Sequence, residues 1–160
     1  MNKKIIKIVL NVLFYTAGIF ILISVLLNHS SGLNKGEKAP QINLTDLNGK
    51  NINLENLKGK VVVLDFFAVW CPPCKKMIPK IVELNNYYKD KDVVFIGIHV
   101  IADHPGIQSL QKFVGKYKIN YPVISSTYEI ENMYKIKSYP TMVIINKEGF
   151  DFILYIFSIS

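Results

Sequence analysis

Two cysteines separated by two prolines, Cys71 and Cys74, are the residues of this chain best suited to chemistry. The run Val61–Phe67 before them is almost wholly apolar, which is typical of a strand buried on both faces. Pro72 and Pro73 fit only the first turn of a helix, because proline breaks later turns. Cys71 is therefore predicted at a helix N-terminus, where unpaired N–H groups and the macrodipole favour a thiolate. Cys74 follows one turn later, close enough to form a disulfide with Cys71.

A zinc half-site and a structural disulfide are two other uses of such a cysteine pair. Structural zinc needs four ligands, and the sequence supplies only two cysteines and three scattered histidines, His29, His99 and His104. A bridge that closes so short a loop also constrains the unfolded chain very little. A Cys-x-x-Cys pair between a strand and a helix therefore indicates redox chemistry.

Asp65 interrupts the most apolar strand of the chain, six residues before Cys71. Burying a carboxylate in such a strand is costly unless its charge is satisfied. A buried carboxylate beside a cysteine pair should have a raised pKa, which suits it to act as a base. We interpret Asp65 as a candidate proton acceptor. The structural alternative is an aspartate that points into a wet pocket and takes no part in catalysis.

Composition limits the class of protein. The net charge of +7 comes entirely from lysine, because the 160-residue sequence contains no arginine. Beyond the three lysines near the N-terminus, the remaining charges are spread without clusters, and arginine is the residue most used to read bases. No nucleic-acid partner is therefore predicted. The length and a hydrophobic content of 50% allow one domain with a sizeable core plus a short appendage.

Residues 8–27 form an uncharged apolar segment that is long enough to cross a bilayer as a helix. Three lysines precede it, which predicts a cytoplasmic N-terminus and an extracytoplasmic remainder of the chain at the cell membrane. A cleaved signal peptide is the alternative, but the long apolar core and the lack of a small-x-small site favour an uncleaved anchor. We therefore predict an anchor over residues 1–28, a linker over 29–38 and a folded domain over 39–160.

Strands and helices alternate in the folded domain. Strands are predicted at 42–44, 51–54, Val61–Phe67, Val93–Val100, 121–124, 141–146 and Phe152–Ile156, with helical segments at Leu54–Leu57, 72–89, 106–117 and 129–134. Asn48 and Gly49 predict a hairpin turn with two positive-φ positions. This order is typical of an α/β domain whose mixed sheet has helices on both faces and an antiparallel hairpin at its end.

The sequence resembles the thioredoxin superfamily, and within it the membrane-anchored, extracytoplasmic thiol–disulfide oxidoreductases of the TlpA/ResA kind. The resemblance covers about residues 39–149, and its matching positions are 39–40, 46–50, 57–60, 70–74, 79, 139–141 and 149. The predicted anchor fits the same group independently. The family continues past the last hairpin with a helix, whereas this sequence ends at Ser160. We therefore expect a thioredoxin-like domain without its C-terminal helix, with a truncated product of low activity as an alternative.

The resemblance implies a role for each residue of the redox pair and for its base. Cys71, expected to be exposed, would be the attacking thiolate, and Cys74, expected to be more buried, would be the resolving thiol. Asp65 matches the aspartate that helps to move the proton of the resolving thiol in thioredoxins. Neither a cofactor nor a metal ion is implied.

The resemblance also implies a surface that binds the partner protein. Trp70 would shield and shape the site. The Tyr139-Pro140 pair matches the position of the family's cis-proline, whose backbone pairs with an extended segment of the substrate. Pro79 matches the kink in the family's active-site helix.

The implied partners are extracytoplasmic proteins that carry disulfides or dithiols, with apocytochromes c among them, and a membrane electron donor that reduces the pair again. Reduction is the meaningful direction outside the cytoplasm, where disulfides persist unless actively reduced, but the sequence does not determine the reduction potential. Two other functions stay open. A peroxiredoxin-like peroxidase would need a Thr or Ser where this chain has Ala68, and an arginine. A copper-handling thiol chaperone would use the thiolates for Cu(I) together with a nearby histidine.

Overall fold

The computed structural model describes residues 37–100, 106–126 and 128–148, and the backbone of residues 152–156. The predicted anchor at residues 8–27 and the end of the chain after residue 156 lie outside the described residues. Among the described residues, no helix is both long and apolar enough to cross a membrane.

A five-stranded mixed sheet forms the centre of the domain. The strands within the described residues are β1 (Asn43–Thr45), β2 (Asn51–Asn53), β3 (Val61–Phe67), β4 (Val93–Val100), β5 (Val123–Ser126), β6 (Thr141–Ile145) and β7 (Phe152–Ile156). The sheet order is β5-β4-β3-β6-β7, and β1 and β2 form a separate hairpin. Strands β3, β4 and β5 are parallel, whereas β6 and β7 are antiparallel to their neighbours. The predicted mixed sheet with an antiparallel hairpin at its end is confirmed.

In the part of the chain that the structure describes, three α-helices pack on this sheet: α1 (Pro72–Tyr88), α2 (Ile107–Tyr117) and α3 (Tyr128–Met133). A 3₁₀ turn covers Leu54–Leu57. Side chains along β3 alternate between the two faces of the sheet. Val63 and Phe67 pack in the apolar cluster that contains α1 and α2 residues. Leu64 and Phe66 pack in a second cluster, with the β1–β2 hairpin, the 3₁₀ turn and α3. Helices on both faces are therefore confirmed, although the second face is covered largely by short elements.

The turn between β1 and β2 differs from the prediction. Gly49 has a φ of 81°, but Asn48 does not have a positive φ, so the expectation of two such positions was wrong. The Asp46 carboxylate accepts the backbone N–H groups of Asn48 (2.9 Å) and Lys50 (2.8 Å), and this arrangement organises the turn. The Leu47 N–H donates to the Val123 carbonyl at 2.9 Å. The turn therefore covers part of the edge of β5, where unpaired backbone groups would otherwise be open to other chains.

Candidate active site

The two cysteines form a disulfide at the N-terminus of α1. Cys71 is the N-cap residue, and Pro72 and Pro73 occupy the first helical positions, as predicted. Because neither proline has an N–H group, the first free helical donor is the backbone N–H of Cys74, which points at Cys71 Sγ over 3.2 Å. This N–H group and the positive end of the helix dipole are therefore placed to stabilise negative charge on Cys71 Sγ.

Cys71 is not exposed in this oxidised state. Its exposed fraction is 2%, against 1% for Cys74, so the expectation of an exposed Cys71 was wrong for the disulfide form. The bond turns the two sulfurs toward each other and into the apolar cluster that contains Ala68 and Met77. A donor thiolate must therefore gain access to a buried bond before it can reduce the pair.

Asp65 lies on the β3 face that α1 and α2 cover, and its side chain is 1% exposed. Its Oδ2 accepts a long hydrogen bond of 3.5 Å from the Tyr121 hydroxyl, and its Oδ1 has no hydrogen-bond partner. Burial raises the pKa of Asp65 to about 7, and the hydrogen bond from Tyr121 opposes that shift. A carboxyl group with this pKa exists in both protonation states near neutral pH, which suits general acid–base work.

Tyr121, which the sequence did not indicate, reaches Asp65 because of a glycine. Gly97 is the β4 residue paired with Asp65. A Cβ atom at Gly97 would lie 3.1 Å from Phe67 Cε1 and 3.2 Å from Tyr121 Cε2. Burial, and then the neighbouring Asp65 charge, raise the pKa of Tyr121 above its usual range. Tyr121 therefore stays protonated and donates to Asp65.

Two of the three residues implied in partner binding, Trp70 and Tyr139, contact each other beside the redox pair. Trp70, directly before Cys71, is 47% exposed. Its ring meets the Tyr139 ring edge to face, with 6.0 Å between the centroids. The Tyr139–Pro140 peptide bond is cis, as the resemblance implied. The structure thus brings Trp70 and Tyr139 together beside Cys71, and their roles in binding stay predictions.

Two other buried polar residues, His99 and Glu131, were not predicted to belong to this region. His99 pairs with Phe67 across β4 and β3, and its ring meets the Phe67 ring edge to face at 5.7 Å. Neither ring nitrogen has a hydrogen-bond partner, and burial lowers the pKa of His99 to about 4. Glu131 accepts a hydrogen bond of 2.8 Å from the Tyr139 hydroxyl. Within the described part of the chain, no group of three His, Cys, Asp or Glu side chains could hold a metal ion.

Comparisons with known proteins agree with this geometry. The Redoxin family model matches residues 34–158. The thiol-disulfide oxidoreductase ResA of Bacillus thuringiensis is 40% identical over 115 residues, which are 71% of this chain and 65% of that protein. The chain therefore spans about two thirds of the length of this relative.

Solved structures give the same fold. A thiol:disulfide interchange protein of the thioredoxin family from Chlorobium tepidum has 26% identity and a TM-score of 0.68, covering 79% of this chain and 88% of that one. A secreted disulfide oxidoreductase of Mycobacterium tuberculosis has 29% identity and a TM-score of 0.61, covering 71% of this chain and 82% of that one. The thioredoxin-like fold is confirmed. This chain belongs to the redoxin family of the thioredoxin superfamily, and within it is similar to the ResA thiol-disulfide oxidoreductases.

Proposed function

We propose that the protein is an extracytoplasmic thiol–disulfide oxidoreductase that reduces disulfides of partner proteins through Cys71 and Cys74. The observation that carries this proposal is the juxtaposition of two features. A disulfide lies at the N-terminus of α1, and a buried carboxyl group with a pKa of about 7 lies on the sheet face beneath that helix. Once the disulfide is reduced, the first feature supplies a stabilised thiolate, and the second supplies a base that works at neutral pH.

The first chemical step uses the reduced protein. The Cys71 thiolate attacks one sulfur of the partner's disulfide, so a bond forms between Cys71 and the partner while the partner's S–S bond breaks. The second sulfur of the partner leaves as a thiolate and takes a proton from solvent. The N–H group of Cys74, 3.2 Å from Cys71 Sγ in the oxidised form, is placed to stabilise the attacking thiolate.

The second step releases the partner. Asp65, directly or through water, accepts the proton of the Cys74 thiol, and the resulting thiolate attacks Cys71 Sγ. The mixed disulfide breaks, the partner leaves with its second thiol, and Cys71 and Cys74 are joined. Two electrons have then passed from the cysteine pair to the partner. A dithiol donor must reduce the pair before the next cycle, and we propose that this donor is a membrane protein.

We also propose that the domain lies outside the cytoplasm on the anchor predicted at residues 8–27, with disulfide-bonded extracytoplasmic proteins as partners and apocytochromes c among them. Disulfides persist in that compartment, so a reductant has a substrate there. The similarity to a protein described as a secreted disulfide oxidoreductase is in keeping with this proposed location.

One experiment in cells tests the chemistry and the partners together. Cys74→Ser removes the resolving thiol, so each mixed disulfide formed by Cys71 should persist and be captured with its partner after acid quenching. Cys71→Ser is the matched control, because it keeps one cysteine and removes the proposed nucleophile. We expect Cys74→Ser to capture extracytoplasmic proteins, including apocytochromes c, at least tenfold more efficiently than Cys71→Ser.

Each part of the proposal can fail separately in this experiment. Equal capture by the two variants would contradict the roles of the cysteines. Capture of cytoplasmic proteins alone would contradict the location. Capture of extracytoplasmic proteins without any apocytochrome c would remove that class of partner and leave the reductase in place.

A further inference from the structure

We propose that Glu131 is a positioning residue that holds Tyr139 against Trp70 and thereby sets the affinity of the reduced protein for disulfide-bonded peptide. This inference rests on the proposed function and adds a residue of α3 to the site. It concerns partner binding and leaves the exchange of sulfur–sulfur bonds to Cys71, Cys74 and Asp65.

Glu131 is an unusual residue for a short surface helix. Only 7% of it is exposed, and its Oε1 atom is buried without a hydrogen-bond partner. Its other oxygen, Oε2, accepts the hydrogen of the Tyr139 hydroxyl at 2.8 Å. Burying a carboxyl group has a cost, and an oxygen left without a partner adds to it. The hydrogen bond with the Tyr139 hydroxyl is the contact that this costly buried carboxyl group makes, and we infer that it is the reason for the burial.

Tyr139 connects this carboxyl group to the edge of the redox site. Burial, and then the hydrogen bond to Glu131, raise the pKa of Tyr139 above its usual range, so its hydroxyl stays protonated and donates. The ring of the same side chain meets the Trp70 ring, with an angle of 82° between the ring planes. Edge-to-face contact is a preferred geometry for aromatic pairs. Glu131, Tyr139 and Trp70 therefore form a continuous chain of contacts from α3 to the residue before Cys71.

This chain of contacts fixes the surface that an oxidised peptide must meet. Trp70 is 47% exposed and adjoins Cys71, so a peptide that brings its disulfide to Cys71 passes over the Trp70 ring. A ring held in place before binding loses little conformational entropy when the peptide arrives. If the ring occupies the binding position for only part of the time, the apparent affinity falls in proportion to that fraction. Loss of the Glu131–Tyr139 bond should therefore weaken binding.

The chemical step should be insensitive to the same bond. The hydrogen bonds described for Cys71, Cys74 and Asp65 are made with each other or with Tyr121 and backbone groups, and none is made with Glu131. A disulfide too small to reach across Trp70 should therefore react at the same rate whether or not Tyr139 is held.

Three variants separate the parts of the contact. Tyr139→Phe removes one hydroxyl group and keeps the ring, and Glu131→Leu removes the acceptor. Glu131→Gln keeps an acceptor oxygen in a side chain of the same shape, so it should restore the bond. Tyr87→Phe is the matched control, because Tyr87 is exposed near the opposite end of α1.

The assay uses the full chain, reduced and freed of reductant, in single-turnover reactions with two disulfides. One is a synthetic peptide with a single disulfide flanked by apolar residues, and the other is 2-hydroxyethyl disulfide. For Tyr139→Phe and Glu131→Leu, the half-saturating peptide concentration should rise about 3- to 10-fold, as loss of one hydrogen bond predicts. The rate constant at saturation, and the rate with the small disulfide, should stay within twofold of the wild type. Glu131→Gln and Tyr87→Phe should behave as the wild type.

Trp70 supplies a second readout, because it is the only tryptophan in the sequence. Acrylamide should quench its fluorescence more strongly in Tyr139→Phe and Glu131→Leu than in the wild type. Quenching in Glu131→Gln should equal that of the wild type. This measurement needs no substrate. Glu131→Leu is scored only if its circular dichroism matches the wild type, and otherwise Tyr139→Phe decides.

The outcomes distinguish this inference from the proposed function. An active wild type with unchanged peptide half-saturation in Tyr139→Phe would overturn the role of Glu131. An equal loss of rate with both disulfides would also overturn it, because the bond would then act on the chemistry. A wild type that reduces neither disulfide would instead overturn the proposed function.

Discussion

The two faces of β3 are both buried but differ in chemistry. On one face, Val62, Leu64 and Phe66 lie in an apolar cluster. Tyr134, in the same cluster, donates its hydroxyl hydrogen to the Pro40 carbonyl. On the other face, the strand presents Asp65 to a region that also holds His99 and the disulfide. Asp65 Oδ1 and both nitrogens of His99 are buried there without a partner.

Within this single strand, one face contributes to stability and the other face carries the groups suited to chemistry. Each unpartnered buried polar group costs about 1–3 kcal/mol, whereas a well-packed apolar side chain contributes about 1.5–3 kcal/mol by leaving water. Strand β3 lies between β4 and β6, so both neighbours hold Asp65 in place. The apolar face therefore stabilises the strand on which the costly face depends.

The largest expected effects come from substituting one side chain on each face of β3, in two separate variants. Asp65→Asn should slow release of the mixed disulfide by about 10²- to 10⁴-fold near pH 7, the usual contribution of a general base, and should slow it less at high pH. Leu64→Ala removes a fully buried side chain from the opposite face and should lower the free energy of unfolding by about 2–5 kcal/mol. Rapid-quench kinetics and urea unfolding of both variants measure the two quantities.

The contrast fails if the two effects are not separable. A release rate for Asp65→Asn equal to that of the wild type from pH 6 to 9 would assign Asp65 a structural role. A release rate for folded Leu64→Ala that falls as far as that of Asp65→Asn would show that both faces contribute to the chemistry.

The sequence predicts local structure well where the local signals are strong. Continuous apolar runs give the bounds of β3 and β4 to the residue, and the charged residues Lys60 and Asp92 mark where the two strands begin. Two adjacent prolines place the start of α1 with equal certainty, since proline fits only the first helical turn. The disulfide and the burial of Asp65 follow from the same short stretch.

Side-chain contacts that depend on tertiary packing are not predicted by these local signals. Tyr121 lies 56 residues from Asp65 in sequence, and only the packing around Gly97 brings its hydroxyl near the carboxyl group. Glu131 and Tyr139 are only eight residues apart, but Tyr139 lies in the loop after α3, whose path the local sequence pattern does not predict. The burial of Cys71 likewise depends on the side chains packed around it. His99 could have been found, because pairing β3 with β4 and alternating side chains place it beside Phe67.

The next largest expected effect is the pH dependence of stability. Two groups on the face of β3 and β4 that α1 and α2 cover, Asp65 and His99, have pKa shifts of opposite sign. Folding raises the pKa of Asp65 from 3.8 to about 7, so between these values the folded protein holds a proton that the unfolded chain has lost. The free energy of unfolding therefore falls as pH rises through this window. Folding lowers the pKa of His99 from 6.5 to about 4, so there the unfolded chain holds the extra proton and stability rises with pH. The two slopes, each about 1.4 kcal/mol per pH unit, cancel over most of the range.

Removing either group should reveal the other. As the pH rises from 4 to 6.5, the free energy of unfolding of Asp65→Asn should increase by about 3 kcal/mol, which is the contribution of His99 alone. As the pH rises from 4 to 7, the free energy of unfolding of His99→Leu should decrease by about 4 kcal/mol, which is the contribution of Asp65 alone. The oxidised wild type should vary less than either variant over the same range. Urea unfolding at half-unit pH steps measures all three curves, and parallel curves would show that neither pKa is shifted by folding.

The smallest expected effect tests the hydrogen bond between Tyr121 and Asp65. Tyr121→Phe keeps the ring against Gly97 and removes the hydroxyl that lowers the pKa of Asp65. A hydrogen bond contributes about 0.5–1.5 kcal/mol, and one of 3.5 Å belongs at the low end. The midpoint of the pH profile for release of the mixed disulfide should therefore move up by about half a unit. Tyr117→Phe, in the same apolar cluster, should leave the profile unchanged. A midpoint that moved down, or moved equally in both variants, would show that the Tyr121 hydroxyl does not control the ionisation of Asp65.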